Sequence, residues 1–228
     1  MPAEIPPADA TIRWLFAETW AEPTDRHFPE AVPGAVVNGL TTAAALLEIG
    51  LWSLRERGLI VLEPLRPVEP EPVLKLGGRS FVRVTSRPPE PGDRGTEIGL
   101  QAHLLKAVRD VAREDEGIGE RAVRRLSGDD RRGLRPTLLS LGMSNRSPWR
   151  WVLDVCFVDA REHGLIDLRG RLFRKRFVPD FTAIAAVRPR NAEIAAAHEA
   201  YRAREPDLAG AVLADCVTAL DWKRTGAP

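Results

Sequence analysis

NGLTTAAALLEIGLWSLRERGLI, residues 38–60, decides the fold class. Leu40, Ala44, Leu47, Leu51 and Leu54 recur at steps of four, three, four and three, which lays one apolar stripe along a helix over 40–57. Asn38 is a candidate cap for its start. Arg55 and Arg57 fall in its last turn, where the helix dipole favours positive charge. Gly58 suits the left-handed residue that ends a helix. Residues 59–62 then read as a short buried strand. Pro64, Pro67, Pro70 and Pro72 lack the N–H that a ladder needs, so the strand is expected to stop there.

The same grammar returns further on. LLEIGLWSLRERGLI (46–60) is echoed by VLDVCFVDAREHGLI (152–166): an apolar helix, an Arg-Glu pair, a stop glycine and a Leu-Ile strand. Two short copies do not make a solenoid. Around them, helices are predicted at 10–21, 96–114, 118–127, 134–142, 148–163, 192–204 and 207–222. Residues 23–34 and 87–95 are expected to be loops. Ser147-Pro148 is a strong helix start, Gly164 a stop, and Asn191 and Pro206-Asp207 open the last two helices. Gly77-Gly78 signals a tight turn between strands at 73–76 and 79–84. A second hairpin is expected to pair 165–167 with 172–178, turning near Gly170. The predicted fold is mainly α: one multi-helix globular domain over 1–228, with two small β-hairpins and winged-helix-like helix–Gly–strand elements. The first few residues and 223–228 are expected to be flexible.

Composition narrows the function classes. The formal net charge of +1 excludes a globally basic nucleic-acid binder, though charge can still be concentrated locally. No run approaches the ~20 apolar residues that span a bilayer, and the start MPAEIPPADA lacks the basic head and apolar stretch of a secretory signal. The expectation is a cytoplasmic protein with at most peripheral membrane contact. Cys156 and Cys216, the only two cysteines, lie in apolar helical stretches and are expected to be buried free thiols. The sequence has no phosphate-binding loop, G-x-S-x-G, C-x-x-C or H-E-x-x-H. His27, His103, His163 and His198 are far apart, each expected at a surface or a cap, with His198 on a solvated helix face. Asp129-Asp130 reads as a helix-entry acidic cluster. Of the six tryptophans most are expected in the core, with one or two lining a shallow surface site. No catalytic residue, metal set or cofactor is expected.

One segment is unusual. Residues 161–176 carry Arg161, Arg169, Arg171, Arg174, Lys175 and Arg176 against Glu162 and Asp167, six positive less two negative, a local sum of +4. Leu172, Phe173 and Phe177 are interleaved with these charges. A ribbon alternates its faces, so Arg171, Phe173, Lys175 and Phe177 share one side and Leu172, Arg174 and Arg176 the other. Three readings fit: a solvated hairpin with inward phenylalanines, a membrane contact for anionic lipid headgroups, and a DNA-contacting wing. The wing reading would make the protein a winged-helix-like DNA-binding regulator, although residues 21–37 are too Pro-rich for a clean helix before 40–57.

The segments LLEIGLWSLRERGLIVLE (46–63), TEIGLQAHLLKAVRDV (96–111), VRRLSGDD (123–130) and REHGLIDLRGRLF (161–173), taken in order, resemble the Golgi phosphoprotein family of phosphoinositide-binding membrane adaptors. The resemblance lies in the order of elements over about residues 8–222. It implies a non-catalytic peripheral adaptor. Its headgroup pocket would use arginines on the helix before the second hairpin, and the hairpin's apolar tip would enter the membrane. Arg150 falls where one such arginine would be, and the partner position one turn on is Leu153. The expected headgroup contacts are therefore Arg150, Arg169, Arg171, Arg174 and Arg176, with Leu172 and Phe173 inserting.

Overall fold

Residues 46–54 are buried around the whole circumference of their helix, so that helix must have neighbours on every side. The computed structural model describes residues 6–16, 35–65, 80–87, 98–117, 133–141, 148–169 and 176–221. These form α1 (Asp9–Leu15), α2 (Ala35–Glu56), β1 (Ile60–Pro64), β2 (Val82–Ser86), α3 (Gly99–Gly117), α4 (Leu134–Leu139), α5 (Pro148–Glu162), β3 (Ile166–Arg169), β4 (Arg176–Pro179), α6 (Phe181–Arg204) and α7 (Pro206–Leu220). The architecture is mainly helical with two antiparallel two-stranded sheets. One apolar core draws on all seven described helices.

Helix α2 is the axis of that core. It packs against α7, α1, α5 and α3, with Leu47, Leu51 and Leu54 wholly buried. Two of its glycines permit close approach. A Cβ on Gly50 would stand 2.8 Å from Leu104 on α3, and one on Gly39 would stand 2.7 Å from the Trp149 ring on α5. The helix begins at Ala35, so Asn38 lies inside it and is not its cap. A capping preference of about 1 kcal/mol does not fix a helix start when the chain upstream also adopts helical geometry.

The two helix–Gly–strand elements close in the same way. Gly58 and Gly164 have φ of 72° and 67°. The Leu59 N–H reaches back to the Leu54 carbonyl (2.9 Å) and the Leu165 N–H to the Ala160 carbonyl (2.9 Å), while both glycine N–H groups bond three residues back. This pair of bonds is the Schellman stop. In each unit the returning chain then donates to the leucine carbonyl, Arg87 to Leu59 at 2.9 Å and Asp180 to Leu165 at 3.0 Å.

The first sheet differs from expectation. The partner of β2 is β1, with Leu62 opposite Val84 and Pro64 opposite Val82. Residues 73–76 and Gly77-Gly78 lie outside the described residues. Ile60, Leu62, Val82 and Val84 are all buried, and this shared apolar face selects the pairing. Pro64 does not end the ladder early. The Leu59 carbonyl accepts from the Arg87 N–H and the Leu65 N–H donates to the Phe81 carbonyl, and alternation then makes the Pro64 rung non-hydrogen-bonded, so no donor is missed. Asp215 of α7, fully buried, accepts from the N–H groups of Phe81 (3.0 Å) and Val82 (2.9 Å) and fixes β2 to the core.

The second sheet pairs β3 with β4, close to where a hairpin was expected. Helix α6 starts eleven residues before the predicted 192, because the Asp180 carboxylate caps the N–H groups of Thr182 and Ala183 at 3.0 Å. Asn191 is therefore interior, and Pro189 is carried within the helix. Pro206 opens α7 as expected. The first helix ends at Leu15; its predicted continuation over 17–21, the 118–127 helix, most of the 23–34 and 87–95 loops and Asp129-Asp130 lie outside the described residues. Among the described residues, no helix is long and apolar enough to cross a membrane.

Candidate functional site

The β3–β4 ribbon leans chiefly on α5, whose last turn leads into it. Its rungs are Ile166 with Pro179, Asp167 with Val178, Leu168 with Phe177, and Arg169 with Arg176. Ile166 is buried and Asp167 is exposed. Two arginines, Arg169 and Arg176, are backbone partners on the last described rung. Of the residues expected to contact lipid, Arg169 and Arg176 are placed as backbone positions. Arg171, Leu172, Phe173 and Arg174 lie outside the described residues.

Arg150 stands exposed in the first turn of α5, its guanidinium carbon 5.3 Å from the centroid of the Trp149 ring. About 18 Å of helix axis separates it from the last turn of α5, from which the ribbon springs. Leu153, at the position one turn on, is 7% exposed and belongs to the core. Beside Arg150 on the same helix lies a shallow groove of ≈ 340 Å³, lined by Trp151, Asp154, Val158, Asp159, Glu162 and, from α3, His103. Trp151 is thus a tryptophan that lines a surface site, its ring edge-on to His103 at 5.3 Å. The groove lining is acidic, while the exposed charges of α5 as a whole are mixed, Arg150 and Arg161 with Asp154 and Glu162.

Other expected residues fall as follows. His163 closes α5 as a cap, with Nδ1 2.7 Å from the Asp159 carbonyl. Cys156 and Cys216 are free and buried, and burial pushes both thiols well above the usual range. His198 is not on a solvated face. It sits between Trp52 (ring centroids 5.4 Å) and Tyr201 (6.0 Å), with Nε2 3.4 Å from Glu48 Oε1.

That position belongs to a polar seam between α2 and α6, which sequence reasoning missed. Glu48, 1% exposed, accepts from Arg202 Nε at 3.0 Å. Arg55 lies over the Tyr201 ring at 5.6 Å and donates two bonds to Glu205, at 3.0 and 2.9 Å; the bonded guanidinium holds the Glu205 carboxyl below the usual carboxylate range. Burial pushes the Tyr201 hydroxyl up to about 12. The available signal was a carboxylate at Glu48 inside an otherwise apolar run, since a charge is seldom fully buried without a partner. Among the described residues, no three His, Cys, Asp or Glu side chains assemble as a metal set.

No family model, curated protein or solved structure matches this chain.

Proposed function

We propose that this protein is a non-catalytic peripheral binding module that meets anionic lipid surfaces through the β3–β4 hairpin. The observation that carries this is the Arg169–Arg176 rung. Like charges placed opposite each other on a ribbon are destabilising, and an anion between them reverses the sign. The connection above that rung adds Arg171, Arg174 and Lys175 with no acidic residue, and it brings Leu172 and Phe173. Phosphate suits arginine's planar donors. Five such charges at about 1 kcal/mol each supply on the order of 5 kcal/mol at an anionic surface, and a buried phenylalanine adds about 2 kcal/mol.

The winged-helix alternative has less support. Residues 46–54 of α2 are enclosed on all sides and offer no face to a groove. The exposed charges of α5 are balanced, Arg150 and Arg161 against Asp154 and Glu162, whereas a helix that meets DNA phosphates carries an excess of positive charge. Flotation on phosphatidylcholine vesicles, with and without phosphatidylserine or phosphoinositide, tests the proposal. The protein should float only with the anionic vesicles, and duplex DNA at physiological salt should not compete. A steeply salt-dependent shift of duplex DNA together with no flotation would put the DNA-binding alternative in its place.

A further inference from the structure

Helix α6 is held differently from its neighbours. Of its 24 residues only Ile194 and Tyr201 are buried, whereas the 15-residue α7 buries nine. A thin apolar strip, Ala183, Ile184 and Val187, packs α6 on the core, and charged and polar contacts join it to α1 and α2. Toward α1, Arg190 reaches Asp9 at 3.1 Å and Asn191 accepts from Arg13 at 2.8 Å. Toward α2, Arg202 meets Glu48 at 3.0 Å and Arg204 meets Glu56 at 3.4 Å. At its C-terminal end Arg55 clasps Glu205 at 2.9 Å.

Closing α6 over α2 also strands polar atoms. Glu48 Oε2, Trp52 Nε1 and Tyr201 Oη are buried with no hydrogen-bond partner among the described residues; Glu48, Trp52 and Tyr201 are 1%, 7% and 1% exposed. Each such atom loses its water on closure and recovers it on opening. The seam is thus opposed by desolvation and favoured by ion pairs, and the ion pairs, being partly exposed, are the component that salt screens. Helices α2 and α7 rest on apolar burial, which salt does not screen.

We propose that α6 is a releasable strap, lifting from α2 as a unit while the helical core stays folded, and uncovering the Glu48–Trp52 face of α2. It is anchored at both ends, by the Asp180 cap and the Glu205–Pro206 junction, so it opens by pivoting and is not free to leave. Local opening below the global unfolding free energy is what few apolar contacts and solvent-exposed backbone produce. This inference is independent of the lipid contact.

Hydrogen exchange, resolved by segment at low and at about 1 M NaCl, tests it. Exchange over 181–204 should rise about tenfold with salt, the combined effect of a few such pairs, while 46–54 and α7 keep their protection. Tyr201 is the only tyrosine in the chain, so absorbance titration of its phenol reads the same event. Its midpoint should move from about 12 at low salt toward the ordinary value as the strap opens. The double variant Arg202→Gln/Arg204→Gln should show the high-salt behaviour already at low salt. Should that variant fail to fold, the salt series on the unaltered protein decides. Equal exchange of α6, α2 and α7 at every salt concentration, or a salt effect shared by all three, would overturn the strap.

Discussion

Leu47 has no exposed surface, and its place in the 40–57 stripe was legible from spacing alone. Truncating it leaves a cavity in the most enclosed helix, so Leu47→Ala should cost about 2–5 kcal/mol. An unchanged urea midpoint would contradict the burial. Its neighbour Glu48 shows where spacing stops informing. Periodicity ranks a carboxylate as solvent-facing, yet this one is buried because Arg202, 154 residues away, and His198 come to it. Nothing local encodes such a partner. The same holds for His198, whose alanine-rich surroundings suggest a solvated face until α2 is packed beneath it. The cysteines needed no partner to be placed, since an apolar helical setting already implied burial.

Elements were legible where local chemistry dominated. The stops at Gly58 and Gly164 follow from glycine's access to positive φ, and both are found there. Strand partnership was not. The β1–β2 pairing answers to a shared buried face that no short window contains; the turn expected at Gly77-Gly78 lies outside the described residues. The start of α6 was placed at Asn191, whereas the Asp180 carboxylate caps the helix and Pro189 lies inside it. The β2 anchor gives a quantitative check. Asp215→Ala would leave the Phe81 and Val82 N–H groups without their acceptor, at about 1–3 kcal/mol for each buried donor. Asp215→Asn keeps one acceptor oxygen and should lose less. Urea midpoints should therefore rank native above Asn above Ala, and an Ala variant as stable as the native protein would show that β2 is held by its apolar face alone.

For the whole molecule, a net charge of +1 hides a strong asymmetry. The basic hairpin could be found in the sequence because Arg169, Arg171, Arg174, Lys175 and Arg176 fall within one short segment. Their arrangement could not, since only the register puts Arg169 across from Arg176. Arg150 is on the expected helix, but in its first turn and beside an acidic groove, so it contributes less to an anion site than the hairpin does. The most direct test is flotation on anionic vesicles of the triple variant Arg171→Ala/Arg174→Ala/Arg176→Ala beside Phe173→Ala, with circular dichroism of each. The triple variant should keep its fold and bind more weakly by roughly 3 kcal/mol, at about 1 kcal/mol per charge, with a shallower salt dependence. Phe173→Ala should also bind more weakly, its salt dependence unchanged, because it removes apolar insertion and not charge. If the triple variant binds as the native protein does while Phe173→Ala unfolds, the hairpin is part of the core and is not the contact with lipid.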